Sequence, residues 1–259
     1  MSSCAARRHP ARLREVATST TGARLTADHR RLTLLLSAGT TRDVELAWRL
    51  FDPADVAASW EVLTPVLRAV VAAGRSTASG LGVGYYGRFR TAEGAAQPFL
   101  VPPAQPLPAE QVATSLEVTG RAGYLRAVGA GQTPAMASAQ ALSATAGAVT
   151  RLVLDADRSV IVSASLADPE ADGWARVTSG RACAFCAMLA SRGPVYVSEE
   201  SGGFEAHDHC GCTVEPVMDR GAYEWAPSSQ RYSDLWAEST SGLSGADARR
   251  AFRRAVDAS

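Results

Sequence analysis

The stretch CAFCAMLASRGPVYVSEESGGFEAHDHCGC, residues 183–212, holds four of the five cysteines and two of the four histidines of the chain. Its metal-binding residue types are Cys183, Cys186, His207, His209, Cys210 and Cys212. Two cysteines separated by two residues can reach one ion from a tight turn, and a second Cys/His cluster further along completes a tetrahedral set. The pattern therefore predicts a metal site, with zinc as the expected ion.

The spacing leaves the ligand set open, because a tetrahedral site needs four ligands and more than four candidates are present. Cys183 and Cys186 are expected to be two of them. In the second cluster, His207 with either of the last two cysteines leaves room for a turn between ligands, whereas the adjacent His209 and Cys210 fit one ion poorly. Four protein ligands close a zinc site, so the predicted role is structural. Two disulfides or buried reduced thiols are the alternatives.

Three enzyme classes use similar residues. A zinc deaminase requires H-x-E followed by P-C-x-x-C, but here the C-x2-C comes first and no proline precedes it. A treble-clef nuclease of the His-Asn-His type lacks its asparagine, since the chain contains none. A protease could pair Cys183 or Ser179 with His207 as nucleophile and base. The density of thiols around that pair favours metal binding instead.

The charge composition limits the kinds of partner that the chain can bind. Its 26 basic and 26 acidic residues give a formal net charge of zero over 259 residues. This balance excludes binding to nucleic acid through bulk positive charge, although local basic patches remain. All basic residues are arginine, and lysine and asparagine are absent. Mechanisms that need either of those side chains are therefore excluded.

No targeting or membrane segment is expected. The N-terminal MSSCAARRHPARLREVATS has basic residues but no apolar core typical of a signal peptide. The apolar run Val66–Ala73 is interrupted by Arg68 and is far shorter than the roughly 20 residues that span a bilayer. We therefore expect folding in a reducing cytoplasm, where clustered cysteines bind metal more often than they form disulfides.

The rest of the chain predicts a mainly α fold, with helical N-terminal and middle regions and a small zinc-stapled α+β module near the C-terminus. Val44, Ala47, Trp48 and Phe51 repeat with helical spacing. The predicted segments are a flexible basic arm at 1–27, a helical region at 28–90, a Pro-rich linker at 91–109, a second helical block at 110–167, the Cys/His zinc module at 168–216 and a C-terminal tail with an Arg-rich helix at 217–259.

Several local signals give sharper expectations. Asp52 is predicted to cap a helix whose first residue is Pro53. Pro65 is predicted to kink or break that helix. Thr133 is the expected N-cap of a long Ala/Ser-rich helix. The alternating apolar residues of Val160–Leu166 predict a short strand.

The chain resembles the Mu F-like minor head proteins of phages, in the version found in tailed phages and prophages of actinobacteria. The similar stretches are WAR, SGRACAFCAMLASRGPVY and AHDHCGCTVEP, with FDPADV and YYGRFR upstream and RYSDLW and GADARRAFRRAV downstream. Together they cover roughly residues 30–256. The family pattern of C-x2-C, a glycine, H-x-x-C-x-C and a proline falls on Cys183, Cys186, Gly193, His207, Cys210, Cys212 and Pro216.

This resemblance implies a structural minor capsid protein associated with the portal vertex, acting in head morphogenesis or in DNA packaging and delivery. Made in the bacterial cytoplasm, it would reside in the virion and bind the portal or major capsid protein, and packaged DNA through its Arg-rich termini. No membrane, small-molecule substrate or catalysis is expected. Carried over by position, the metal ligands are Cys183, Cys186, His207, Cys210 and Cys212. His209 and Gly211 depart from the family pattern.

The alternative function is a capsid maturation protease or a zinc-containing nuclease of the phage head.

Overall fold

Residues 19–178, 182–198 and 203–259 are described by the structure, which is a computed structural model. Over these residues the chain forms eight α-helices and one two-stranded sheet. In chain order the elements are α1 (Thr20–Ala47), a 3₁₀ turn (Trp48–Leu50), α2 (Val56–Ala92), α3 (Ala109–Thr119), α4 (Arg121–Gly129), α5 (Pro134–Ala167), β1 (Gly173–Val177), α6 (Ala184–Ala190), β2 (Thr213–Val217), α7 (Pro227–Ser239) and α8 (Gly245–Asp257).

The first helix begins earlier than the sequence predicts. Residues 20–27, expected to belong to a flexible arm, form the first two turns of α1. The reason is a cap at Ser19, whose Oγ accepts the Gly22 N–H at 2.9 Å and whose hydroxyl donates to Glu93 at 2.7 Å. The rest of the predicted arm, residues 1–18, lies outside the described residues.

The N-terminal half of α1 buries polar side chains. His29 Nε2 lies 3.1 Å from Asp157 Oδ1, and both side chains are almost fully buried. The His29 ring stacks on Tyr85 with centroids 4.1 Å apart, and the Tyr85 hydroxyl lies 2.7 Å from Thr26 Oγ1. Buried polar groups are tolerated when they are hydrogen-bonded to one another. This network therefore fixes α1 against α2 and α5.

The second helix has a different cap from the one predicted. Asp55 is the N-cap, and its Oδ1 accepts the Ala58 N–H at 3.1 Å. Asp52 instead accepts the Ala54 N–H at 2.8 Å in the preceding turn, which places Pro53 outside the helix. The two aspartates offer the same capping chemistry, so local sequence did not distinguish them.

Of the kink or break predicted at Pro65, the break does not occur: α2 continues through this residue to Ala92. Pro65 lies on the exposed side, where solvent can satisfy the carbonyl that loses its helical partner. The opposite side places Leu63, Leu67 and Val71 in the core. By length and composition α2 is also long and apolar enough to cross a membrane. Core helices of globular proteins meet the same criterion, so the absence of a membrane partner stays a prediction.

The Pro-rich segment crosses the helices and is not itself helical, as its prolines predict. Residues 93–108 are irregular, and Phe99, Val101 and Leu107 pack on the apolar clusters of the helices. The Ala104 N–H donates to Ser79 Oγ of α2 at 2.9 Å. These contacts hold the segment against the helices over its length.

The fifth helix overturns the strand prediction. α5 extends to Ala167, so the residues expected to form a strand at Val160–Leu166 are its last turns. Val160, Ile161 and Ala164 are buried with helical spacing. A segment that is buried on most sides has apolar residues that match both the period of 2 of a strand and the period of 3.6 of a helix. Its sequence therefore does not distinguish a strand from a helix. The predicted cap is confirmed, since Thr133 Oγ1 accepts the Met136 N–H at 3.3 Å.

The two strands pair antiparallel, with Gly173 opposite Val217 and Val177 opposite Thr213. Every residue of both strands is buried. Helices α6, α7 and α8 pack together around Ala187, Tyr232 and Phe252. The Arg-rich helix predicted within the C-terminal tail is α8.

The predicted fold class is therefore confirmed: a mainly helical chain with a small α+β module near the C-terminus. Helix α5 joins the two parts. Its Val149, Leu152 and Val153 belong to the core with α1 and α2. Its Val160 and Ile161 pack in a second cluster with residues of both strands.

Candidate metal centre

The C-x2-C pair is held by the start of α6. Cys183 is the N-cap of this helix, and its Sγ accepts the N–H of Cys186 at 3.5 Å. An N-cap and the third helical residue both face the helix N-terminus, so the two thiols converge. Cys186 is buried and Cys183 is exposed. One candidate ligand, Cys186, therefore lies in the interior, while the other, Cys183, is accessible to solvent.

The second cluster comes from the loop that leads into β2. His207 Nδ1 lies 2.6 Å from the carbonyl oxygen of Asp208. A carbonyl only accepts, so Nδ1 carries the proton and Nε2 is left free as a ligand. Cys210 and Cys212 follow, both buried, with Cys212 directly before the strand. The Asp208 carboxylate accepts from Arg151 Nε of α5 at 2.7 Å, which anchors the loop.

These side chains form two overlapping groups of three. Cys183 Sγ and Cys186 Sγ lie 3.0 Å and 3.5 Å from His207 Nε2. Cys186 Sγ also lies 3.6 Å from Cys210 Sγ and groups with Cys210 and Cys212. Ligand atoms about 2.3 Å from a tetrahedral zinc ion are separated by roughly 3.8 Å. The distances from Cys186 Sγ to His207 Nε2 and to Cys210 Sγ, 3.5 Å and 3.6 Å, are close to this separation, whereas the 3.0 Å between Cys183 Sγ and His207 Nε2 is shorter. Soft thiolates with imidazole are donors that zinc prefers.

The electrostatics of the cluster reflect the crowding of the sulfurs. Burial opposes ionisation of Cys183, but hydrogen bonds from Cys186 and the nearby His207 lower the pKa of Cys183 below its ordinary value. Hydrogen bonds to the other two buried sulfurs, together with burial, raise the pKa of Cys186 far above its ordinary value. Neighbouring thiolates repel one another, so only a bound cation lets all of them ionise together.

The structure separates His209 from the other candidates. It is the one described non-glycine residue with a positive φ, at 61°. This conformation turns its imidazole toward α5, where a Cβ added at Gly147 would lie 2.6 Å from His209 Nε2. His209 is accordingly absent from both groups of three.

The five residues carried over by position are thus brought together, and their role as metal ligands stays a prediction. Ser179, the alternative nucleophile, lies outside the described residues. Gly193 has a φ of 66° and packs under Trp225, where any side chain would clash. Two buried arginines beside the sulfurs, Arg158 and Arg176, carry no signal in the sequence. Arginines are usually exposed, and no local pattern marks these two as buried.

Comparison with known proteins identifies the family. A family model described as VG15 protein matches residues 20–239, most of the chain and all of the Cys/His cluster. The chain belongs to the VG15 protein family. This VG15-family protein is 33% identical to the Gene 15 protein of Mycobacterium phage D29, over 35% of its own length and 48% of the relative's. The match therefore spans less than half of that relative. No solved structure matches the chain significantly.

The relationship to a phage protein supports the phage part of the resemblance described above. The Mu F-like assignment itself, the portal-proximal location and the absence of catalysis stay predictions.

Proposed function

We propose that this VG15-family protein is a structural minor capsid protein of a tailed phage, located near the portal vertex and acting in head morphogenesis or DNA packaging and delivery. The observation that carries the proposal is the family match over residues 20–239 together with a phage relative. The Mu F-like resemblance supplies the location in the head. Localisation in the virion follows from the same reasoning, after synthesis in the host cytoplasm.

The proposed role of the Cys/His cluster is a structural zinc site. Its donors are Cys186, which belongs to both groups of three, and three of Cys183, His207, Cys210 and Cys212. Four such donors make a closed tetrahedral set. A closed site leaves no position for water or substrate, so the ion would join α6 to the start of β2. Such an ion contributes directly to folding, because the ligands are not assembled in the unfolded chain.

The proposed partners are the portal or major capsid protein and packaged DNA. Arg249, Arg250, Arg253 and Arg254 are exposed on α8, while the opposite side of the helix is buried through Phe252. This basic face suits phosphates or an acidic protein surface. Binding to DNA through these arginines would weaken steeply with salt, since each neutralised phosphate releases counterions.

A cysteine protease is the second candidate, because one distance favours it. The exposed Cys183 Sγ lies 3.0 Å from His207 Nε2, within the range of a nucleophile and its general base. However, His207 Nδ1 bonds a backbone carbonyl, and the neighbouring Asp208 carboxylate bonds Arg151. Three further cysteine sulfurs in the same cluster favour metal over catalysis. A zinc-containing nuclease is disfavoured by the separation of His209 from the cluster.

Metal content and thiol reactivity distinguish the structural site from the protease. Purified from a reducing cytoplasm, the protein should contain about one zinc ion per chain, as expected for one tetrahedral site. Its clustered thiols should resist alkylation until a chelator is added. Cys183→Ser should then unfold the C-terminal module. A metal-free protein with freely reactive thiols, whose Cys183→Ser variant folds but no longer cleaves a co-expressed capsid protein, would establish the protease instead.

Location in the phage head needs a separate test. Mass spectrometry of purified virions should detect this chain in few copies, and gold-labelled antibody should mark a single vertex of each head. The chain should also co-purify with the portal protein from infected cells. Its absence from purified virions would overturn the proposed function, whatever its metal content.

A further inference from the structure

Two buried arginines lie beside the sulfur cluster. Arg158 of α5 and Arg176 of β1 are 3% and 1% exposed. A guanidinium keeps its charge under almost all conditions, and burying it is costly unless a negative charge or several acceptors compensate. The groups that face these two arginines therefore indicate where negative charge is expected.

A third buried arginine shows the ordinary arrangement. Arg90 Nε lies 2.6 Å from Asp168 Oδ2, and its Nη2 lies 2.8 Å from Glu170 Oε2. Among the described residues, neither Arg158 nor Arg176 forms an ion pair of this kind. The carboxylate next to Arg158 in sequence, Asp157, contacts His29 instead.

Both arginines point their donors at the Cys/His segment. Arg176 Nη1 lies 3.8 Å from Cys186 Sγ, the sulfur shared by both groups of three. Arg158 Nη2 and Nε donate to the carbonyl oxygens of Cys210 and Cys212 at 2.6 Å and 3.1 Å.

The ring of Phe204 lies against both guanidinium groups. Its centroid is 3.7 Å from Arg176 Cζ and 5.0 Å from Arg158 Cζ. An aromatic face attracts a guanidinium but does not neutralise it. Arg176 Nη2 also donates to the carbonyl oxygen of Glu205 at 2.7 Å, but a carbonyl carries no net charge. Among the described residues, the clustered sulfurs are the groups beside both arginines that can supply further negative charge.

We infer that Arg158 and Arg176 are positioning residues that neutralise a negatively charged metal–thiolate centre and are needed for its tight metal binding. Three or four thiolates on one divalent ion leave a net charge of −1 or −2. Two guanidinium groups offset that charge inside a region that excludes water. Arg176 does so by donating to a ligand sulfur, and Arg158 does so by holding the backbone that presents Cys210 and Cys212.

The inference rests on the proposed metal site, and its test uses the full chain with Zn²⁺ or Co²⁺ alone. Arg158→Met and Arg176→Met should each weaken zinc affinity about 10–100-fold in competition with a chelator, as is typical of outer partners of metal ligands. Arg176→Met should also shift the sulfur-to-cobalt absorption band, because a hydrogen bond to a ligand sulfur is lost. Arg90→Met is the matched control: it removes a buried arginine but should leave both readouts unchanged.

Conservative variants keep the test decisive if a methionine variant fails to fold. Arg158→Lys and Arg176→Lys retain the charge without the planar fork, so they should recover part of the lost affinity. Wild-type metal binding with unchanged affinity in all four variants would overturn this inference alone. An equal loss in Arg90→Met would also overturn it, by tracing the effect to the fold. A wild-type chain that binds neither ion would overturn the metal site and this inference together.

Discussion

The helical body (α1–α5) differs from the sulfur-rich part of the C-terminal module (β1, α6, β2, α7 and α8) in the residues that fill its interior. The body encloses a large apolar cluster that includes the fully buried Leu63, Leu67 and Leu152. In the module, the buried residues around Cys186 are two other cysteines, with Ala182, Phe204 and Ala206 only partly buried beside them.

This difference indicates which part of the chain can fold without a bound metal ion. Each buried leucine contributes about 1.5–3 kcal/mol by leaving water, and the body accumulates many such contributions. Small residues and thiols contribute far less, so small modules of this kind depend on a metal or disulfides. We therefore expect the body to hold its structure under conditions that unfold the sulfur-rich part of the module.

Metal removal should separate the two regions most clearly. Structural zinc contributes about 10–16 kcal/mol in small zinc-dependent folds, so a chelator or Cys186→Ser should abolish amide protection in α6 and β2. Protection in α2 and α5 should persist. Hydrogen exchange followed by mass spectrometry measures both regions in one experiment.

Cys4→Ser is the control for that experiment, because Cys4 lies outside the predicted ligand set. It should match the wild-type protein throughout. Simultaneous loss of protection in α2 and α5 after chelation would show that the two regions unfold as one cooperative unit.

The converse change should weaken the body and spare the metal site. Leu63 is fully buried, so Leu63→Ala should cost about 2–5 kcal/mol of unfolding free energy. Val62, its neighbour, is 58% exposed, and Val62→Ala should change stability by less than about 0.5 kcal/mol. Denaturant titration measures both changes, and zinc content should be equal in the two variants. A lower zinc content in Leu63→Ala would mean that the body assembles the site.

Helical periodicity predicted the architecture of the body well, because most of its helices have one buried and one exposed side. It failed at Val160–Leu166, where burial on several sides removes the contrast that defines a period. It also missed β1 and β2, whose residues are all buried and show no alternation. The start of α1 depended on Glu93, far along the chain, bonding to Ser19. No local pattern contains such contacts.

The spacing of the cysteines predicted which thiols lie near one another, since the C-x2-C and C-x-C pairs are those that the two groups of three contain. Their role as metal ligands stays a prediction. What the spacing did not decide is which histidine faces the sulfurs. That choice depends on the positive φ of His209 and on the space left by Gly147 in a distant helix. The burial of Arg158 and Arg176 likewise results from tertiary packing.

The contact between body and module should make stability depend on pH. Glu215 of β2 is 5% exposed, accepts from the Tyr223 hydroxyl at 2.9 Å and faces Tyr85, Glu93 and Thr26. Burial raises the pKa of Glu215. The folded chain therefore favours the protonated acid, and stability is lost as pH rises from the ordinary pKa through the raised one.

Glu215→Gln should consequently stabilise the protein by about 1–3 kcal/mol at neutral pH, the scale of one poorly solvated buried group. The gain should vanish below the ordinary glutamate pKa of about 4.3, where the wild-type side chain is protonated in both states. Thermal unfolding across pH measures this, with the exposed Glu238→Gln as control. A gain that is independent of pH would assign the effect to packing.

Two glycines of α2, Gly74 and Gly80, should show the smallest of these effects. They differ in the atoms that an added Cβ would contact. A Cβ at Gly74 would lie 2.6 Å from Val153 Cγ2 of α5, whereas a Cβ at Gly80 meets no atom within 4 Å. Alanine is favoured over glycine in a helix by roughly 0.5–1 kcal/mol. Gly80→Ala should therefore stabilise the body by about that amount.

Gly74→Ala gains the same helix propensity but forces α2 and α5 apart or Val153 into another rotamer, at a typical overpacking cost of about 1–3 kcal/mol. The net result should be destabilisation, measured against Gly80→Ala by denaturant midpoint. Combining Gly74→Ala with Val153→Ala should recover part of the loss, because the second change removes the clashing methyl groups. Equal stabilisation of both glycine variants would mean that α2 and α5 are not tightly packed at Gly74. It would contradict the view that close packing stabilises the body without a metal.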